Sequence, residues 1–315
     1  MKLKLYIFSI IALLGVACSK TIPELESDVP VNFSTFIDSQ TKVDEYFTAG
    51  ERLGLFGYNL NDGATWNNSF APDFMYNIPL EYSGTEWFTE KTYYWSTNPH
   101  NKKRFYAYYP YSTDRDDITL SPSGHKGSPY INFTVTDAKT DFITCAAQEG
   151  NVENPTVTFK AKHALAKLTI GFATDLEQGM AYAKALKVYG ILKEGKYTFD
   201  NVTESDNGFE NGTETLDIDL PQSATGEIYV NSQSPVYVDE YTLYLLPPNT
   251  ADGKGGLAQI ETVINGVTQM FDLSSVPLES GKNTMIKIII NQKETTFKAT
   301  IEEWEIGGEA SDTID

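Results

Sequence analysis

Apolar and polar residues alternate along most of the chain with a period of two. Val29, Val31, Phe33 and Ile37 fall on alternate positions, with Asn32, Ser34 and Asp38 on the other face. That spacing predicts a strand with one buried side. Leu53-Gly54-Leu55-Phe56-Gly57-Tyr58 begins a second strand, and residues 91–95, 103–109, 130–135 and 141–146 continue the series. Turn signals separate them at Asn61-Asp62-Gly63, Asn98-Pro99 and 121–127. Asn151-Val152-Glu153-Asn154-Pro155 reads as a boundary. Beyond it strands are expected at 156–159, 165–172, 185–192, 196–199 and 227–230, and at 241–246, which Pro247-Pro248 stops. Asn265-Gly266 lies between two alternating runs, the strongest short-range hairpin signal there is. Residues 282–290 and 295–306 close the series, and only 176–185 offers a helical turn. Short strands at regular spacing predict an all-β fold of two tandem β-sandwich domains, 29–152 and 153–307, followed by an acidic tail, 308–315.

The first residues change the picture. Lys2 and Lys4 precede an almost wholly apolar run, and Ala17-Cys18 follows it. This describes a secretory signal peptide over 1–17. The apolar run is about a dozen residues, too short to span a bilayer as a helix. Leu14-Gly15-Val16-Ala17-Cys18 resembles the bacterial lipoprotein signal, in which the cysteine takes a diacylglycerol and becomes the mature N-terminus. Cys18 is therefore the lipidation candidate, and 18–28 a polar tether from the outer membrane. An ordinary signal peptide with a chance cysteine is the plainer alternative.

Composition mainly excludes. The chain has 43 acidic against 24 basic side chains, a formal charge of −19, and so acidic a surface repels phosphate backbones, which argues against a nucleic-acid partner. Three His and two Cys leave little for a zinc or haem site, and no cofactor or metal is expected. With Cys18 acylated, Cys145 has no partner for an internal disulfide and reads as a small buried hydrophobe. Asp114-Arg115-Asp116-Asp117 lacks the spaced carboxylates and closing Glu of a calcium hand. Glu302, Glu303 and Glu305 stand near Trp304, but Glu303 and Glu305 share one face of one strand instead of converging across a cleft. There is no Gly-rich phosphate loop or nucleophile elbow. The chain does not read as an enzyme.

Four segments, in order, carry a family resemblance: Val31-Asn32-Phe33-Ser34 in the first strand, Ala49-Gly50-Glu51-Arg52-Leu53-Gly54-Leu55-Phe56, Phe159-Lys160-Ala161-Lys162-His163-Ala164-Leu165-Ala166-Lys167-Leu168, and Ala299-Thr300-Ile301-Glu302-Glu303-Trp304-Glu305-Ile306-Gly307-Gly308. With the lipoprotein leader they resemble the fimbrillin (Mfa-like) family of Bacteroidales, the subunits of type V pili. The resemblance implies two transthyretin-like β-sandwiches, export as a lipoprotein, and a place in a fimbrium at the cell surface. It also implies that a trypsin-like protease cuts the loop after the first strand. Lipid and strand are then lost, and a strand from the next subunit fills the groove, giving a head-to-tail polymer of pilin subunits. The removable strand would carry Val29, Val31, Phe33 and Ile37. The family's cut usually follows Arg; here Lys42, before Val43, holds that place, with Arg52 as the alternative. A solvated loop charge describes Lys42 equally well.

The donor candidate is the last strand. Phe297, Ala299 and Ile301 alternate, and Trp304 and Ile306 continue after a slip of one position that suggests a bulge or bend. An ordinary bulged edge strand has the same pattern. Tyr93-Tyr94-Trp95 and Phe105-Tyr106-Ala107-Tyr108-Tyr109-Pro110-Tyr111 place aromatics on both strand faces. The leading reading is a structural or adhesive pilus subunit, with a host or bacterial surface ligand as a further partner. The alternative is a lipid-anchored protein that never polymerises and stacks sugars on exposed aromatics. Exposure of Trp66, Trp87 and Trp95 separates the two.

Overall fold

The structure, a computed structural model, describes residues 26–37, 47–175, 181–200, 208–221, 227–231, 233–291 and 295–304. The first strands in chain order are β1 (Glu26–Pro30), β2 (Asn32–Ile37), β3 (Arg52–Leu60), β4 (Met75–Tyr82), β5 (Trp87–Phe88), β6 (Tyr94–Ser96), β7 (Lys102–Tyr109), β8 (Ile118–Leu120), β9 (Tyr130–Thr134), β10 (Ile143–Gly150) and β11 (Thr156–His163). Then come β12 (Ala166–Thr174), β13 (Ala181–Leu192), β14 (Glu194–Thr198), β15 (Phe209–Asn211), β16 (Thr215–Asp219), β17 (Ile228–Val230), β18 (Val236–Tyr237), β19 (Leu243–Leu245), β20 (Gln259–Ile264), β21 (Val267–Asp272), β22 (Lys282–Ile290) and β23 (Thr295–Glu303). The fold is all-β, as the alternation predicts. Residues 181–185, expected in a helical turn, open the long strand β13.

Seven strands close into a barrel in the order β10-β11-β2-β5-β4-β3-β7, where a first sandwich was expected. Two further sheets, β18-β12-β22-β23 and β16-β13-β20-β21, carry most of the C-terminal residues, with β19 and β17 pairing β12 and β13. A fourth sheet, β15-β14-β9-β8, draws strands from both sides of the expected 152/153 boundary. That boundary is a tight turn, Asn151 pairing Asn154, between β10 and β11 of one barrel. Hydrophobic alternation shows which side of a strand is buried but not against which partner, so a turn inside a barrel and a linker between domains look alike.

β11 shows why the barrel closes. Val157, Phe159, Ala161 and His163 point in and are buried, while Thr156, Thr158, Lys160 and Lys162 point out. β3 and β7 are buried on both faces. Leu53, Leu55, Phe105 and Ala107 fill the barrel, while Phe56, Tyr58, Tyr106 and Tyr108 pack outward into the larger core built around the C-terminal sheets. The aromatics on both faces of 105–108 thus serve two cores. Gly54 is required by close approach: it pairs with Tyr108, and a Cβ there would enter the tyrosine ring.

A polar joint ties the barrel to the rest. Asp200, just past β14, accepts hydrogen bonds from Tyr106 Oη (2.6 Å), Trp66 Nε1 (3.0 Å) and Arg104 Nη2 (3.0 Å). Arg104 also reaches Glu149 (2.9 Å), and its guanidinium lies 4.9 Å from the Trp66 ring centre.

Candidate functional site

The first expected strand is two strands. Val29 lies on β1, which among the described residues pairs with β6, and packs partly buried against the barrel core that Val31 and Phe33 enter. Val31 marks the change, its amide donating to the Tyr93 carbonyl (2.8 Å). β2 is a stave with unequal neighbours. It runs parallel to β11 over six residue pairs, Asn32 with Thr156 through Ile37 with Ala161. Against β5 it makes one pair, Phe33 with Trp87. Parallel ladders are slightly less stable per residue than antiparallel ones, so this wall of the barrel is held mainly by side chains.

Those side chains form a specific seat. The Phe33 ring stacks on Phe159 (6.1 Å, 2° between planes) and meets Phe105 edge-on (5.5 Å). Thr35 Oγ1 accepts a buried bond from Trp87 Nε1 (2.8 Å). Outside, Ser34 and Thr158 hydroxyls are 2.9 Å apart. Withdrawing β2 would leave Phe159, Phe105 and Val157 facing water along the slot between β11 and β5, and an open slot of that kind is a template for another strand. Nothing local in the sequence ties the seat residues Phe105, Phe159 and Trp87 to Phe33.

Cys18, Lys42, Val43 and Ile306 lie outside the described residues. Ile37 is placed on β2 by its backbone. Arg52 opens β3; its Nε bonds Glu81 (2.7 Å), its carbonyl accepts from the Tyr111 amide (3.0 Å), and its backbone pairs with Glu81 of β4. A protease would have to peel this strand end from two neighbours to cut there.

β23 is an edge strand, paired among the described residues with β22 alone, in an unbroken antiparallel register from Thr295 with Ile290 to Glu303 with Lys282. The bulge expected at Glu302-Glu303 is therefore absent: the slip in phase marks the end of the strand. Phe297 and Ala299 are partly buried against the C-terminal core, and Phe297 meets Phe271 edge-on (5.9 Å). Ile301 is exposed. Trp304 leaves the ladder and stacks on His163 (3.4 Å between centroids) and on Tyr244 (5.3 Å). His163 Nδ1 is in turn 2.7 Å from a buried Asp141 oxygen. The end of the donor candidate is thus clasped where β11 leaves the barrel.

On the outer face of β11, Lys160 and Lys162 border a cleft of about 340 Å³ that Ala146, Ala147, Tyr197 and Asp200 also line. Both lysines are exposed, and neither makes an ion pair among the described residues. Lys162 is cross-strand from Thr144, whose hydroxyl is 2.9 Å from Tyr197 Oη. On the inner face, Cys145 is fully buried, and burial pushes its thiol up to about 12. The thiolate is the reactive form, so alkylating reagents at pH 8 are expected to leave Cys145 unmodified in the folded protein and label it once urea unfolds the barrel. Peptide mass mapping checks this; prompt labelling of the native chain would contradict it.

Trp95 is completely buried and Trp87 nearly so. Trp66 is half-buried, stacked with Phe70 (5.7 Å) and edge-on to Tyr58 (5.0 Å). In the 114–117 loop, Arg115 Nε and Nη2 both donate to the Asp117 carboxylate.

A family model described as fimbrillin-like matches residues 41–304. A fimbrial protein from Bacteroides vulgatus shares the fold over 87% of this chain and 99% of its own, at 23% identity and a TM-score of 0.69. A protein from Bacteroides uniformis assigned to cell adhesion is similar over 88% of this chain and 100% of its own, at 19% identity and a TM-score of 0.58. No curated protein matches the chain.

Proposed function

Because the chain belongs to the fimbrillin-like family, we propose that it is a fimbrial or adhesin subunit of the cell surface that assembles by exchange of its first strand. The observation that carries this reading is the seat of β2: one parallel ladder, one residue pair on the other side, and a core of Phe33, Phe159 and Phe105 that a different strand could complete. In this reading Cys18 carries the lipid that holds the exported chain at the outer membrane. Cleavage after Lys42 then releases lipid and first strand together. β23, an edge strand with one neighbour, is the segment that a subunit offers to the next. Such a head-to-tail contact does not close on itself and so builds a filament. The burial of Trp87 and Trp95, and the packing of half-buried Trp66 against Phe70 and Tyr58, count against these three rings as a platform for sugar stacking.

The test is the intact mass and N-terminal sequence of the protein recovered from the bacterial surface. A start at Val43 without lipid is expected for a polymerising subunit. A start at acylated Cys18 in all recovered material would overturn the exchange reading and leave an anchor subunit or a surface lipoprotein that does not polymerise.

A further inference from the structure

The first and last strands lie in different sheets yet share a pattern. Asn32-Phe33-Ser34-Thr35-Phe36-Ile37-Asp38 and Thr296-Phe297-Lys298-Ala299-Thr300-Ile301-Glu302 agree in order: aromatic second, small residue fourth, Ile sixth, acid last. Resting on the assembly reading above, we propose that β23 of a second copy of this chain enters the vacated seat in the same direction as β2, parallel to β11, with Phe297 where Phe33 lies and Glu302 selected by Lys162.

The register follows from β11. Phe33, Thr35 and Ile37 pair with Val157, Phe159 and Ala161, three buried residues of the barrel interior. Entering in the same direction, β23 sets Phe297, Ala299 and Ile301 opposite those three. The Phe297 ring inherits the stack on Phe159 and the edge contact with Phe105. The alternate positions face outward, Lys298 opposite Thr158, Thr300 opposite Lys160 and Glu302 opposite Lys162. Lys162, which lacks an ion-pair partner among the described residues, thereby meets the acid Glu302 on a chain rich in acids.

Entry in the opposite direction, with Phe297 in the same place, sets Glu294 opposite Lys160 but Gln292 opposite Lys162 and Lys293 opposite Ala161. An unpaired ammonium pressed into the barrel interior costs far more than the small advantage of antiparallel over parallel pairing. Side chains, not the ladder, therefore choose the direction. Moving β23 also exchanges one paired edge, β22, for two, β11 and β5. One mismatch remains: Ala299 brings no hydroxyl to Trp87 Nε1, which in the polymer must take its bond from water.

The test reads the register by disulfide trapping. Two double variants are made in the cell that produces the protein, Thr158→Cys with Lys298→Cys and Thr158→Cys with Thr296→Cys. Surface material is oxidised and run on a non-reducing gel. A ladder of linked subunits from the 158/298 pair, and none from the 158/296 pair, is expected. A ladder from 158/296 alone, or from neither while wild-type filaments form, overturns the register and leaves the assembly reading standing. Wild-type material that is monomeric after loss of its first strand overturns both. A charge exchange gives a second readout: Lys162→Glu and Glu302→Lys should each lower filament yield about two- to five-fold, the range of an exposed ion pair, and the two together should restore it. Yields unchanged in both single variants would remove Lys162 from the proposal.

Discussion

Replacing Phe33 by alanine is expected to destabilise the barrel by about 3–5 kcal/mol, the usual cost of truncating a buried phenylalanine. The ring is 8% exposed and has aromatic partners on two sides, Phe159 flat against it and Phe105 at its edge. Neither partner can follow it into the space, because β11 and β7 are held by ladders to β10 on both sides of the seam. The cavity therefore stays open. Loss of Phe33 also removes the main side-chain anchor of a strand with one good ladder, so the amides of Val31 and Asn32, now bonded to Tyr93 and Pro155 carbonyls, should exchange with solvent sooner than those of β3. Urea unfolding followed by tryptophan fluorescence gives the first number and hydrogen exchange the second. Phe88→Ala, at an exposed position on the neighbouring strand, should stay within about 0.5 kcal/mol and serves as the control. Equal effects at the two positions would mean that β2 is not a structural stave.

Asp200→Ala is expected to cost about 2–3 kcal/mol, because three donors lose their acceptor together. Tyr106 Oη, Trp66 Nε1 and Arg104 Nη2 all converge on this one carboxylate. The Asp200 side chain is 29% exposed, and so the loss is set below that of a fully buried ion pair. Arg104 keeps Glu149, which further limits the damage. Asp200→Asn retains one acceptor oxygen and should recover roughly half of the loss. Because Asp200 lies past β14 while its donors lie on β7 and in the loop after β3, the same variant should separate the unfolding of the barrel from that of the C-terminal sheets. Two calorimetric transitions in place of one would report that uncoupling. An unchanged single transition would show that the apolar contact between the two cores carries the coupling alone.

Local chemistry was the legible part of the chain. Asn265-Gly266 forms the tight hairpin between β20 and β21, with φ of 49° and 78°, because few residues other than Asn and Gly accept two successive positive values. β11 follows its alternation residue by residue. Pro247-Pro248 lies just past the end of β19 at Leu245, since proline cannot donate to a ladder. The slip between Ile301 and Trp304 was visible too, but its meaning was not. A bulge and a strand end both shift the phase by one, and only the unbroken register to Glu303 separates them.

The sequence alone, then, determined the class of the fold, the position of most strands and the buried side of each, because side-chain direction in a strand alternates whatever the partner. It also marked the first and last strands as the two amphipathic segments of interest. Which strands become neighbours was decided by the tertiary structure. Pairing β2 with β11 joins Phe33 to Val157, and the joint at Asp200 joins Trp66 to a residue 134 positions away. Such contacts depend on closing long loops around a shared core, and alternation at either end carries no record of the other. The same reason hid the barrel: seven strands with one apolar side each can stack as sheets or close on themselves, and it is the fit of Phe33, Phe105 and Phe159 inside that favours closure.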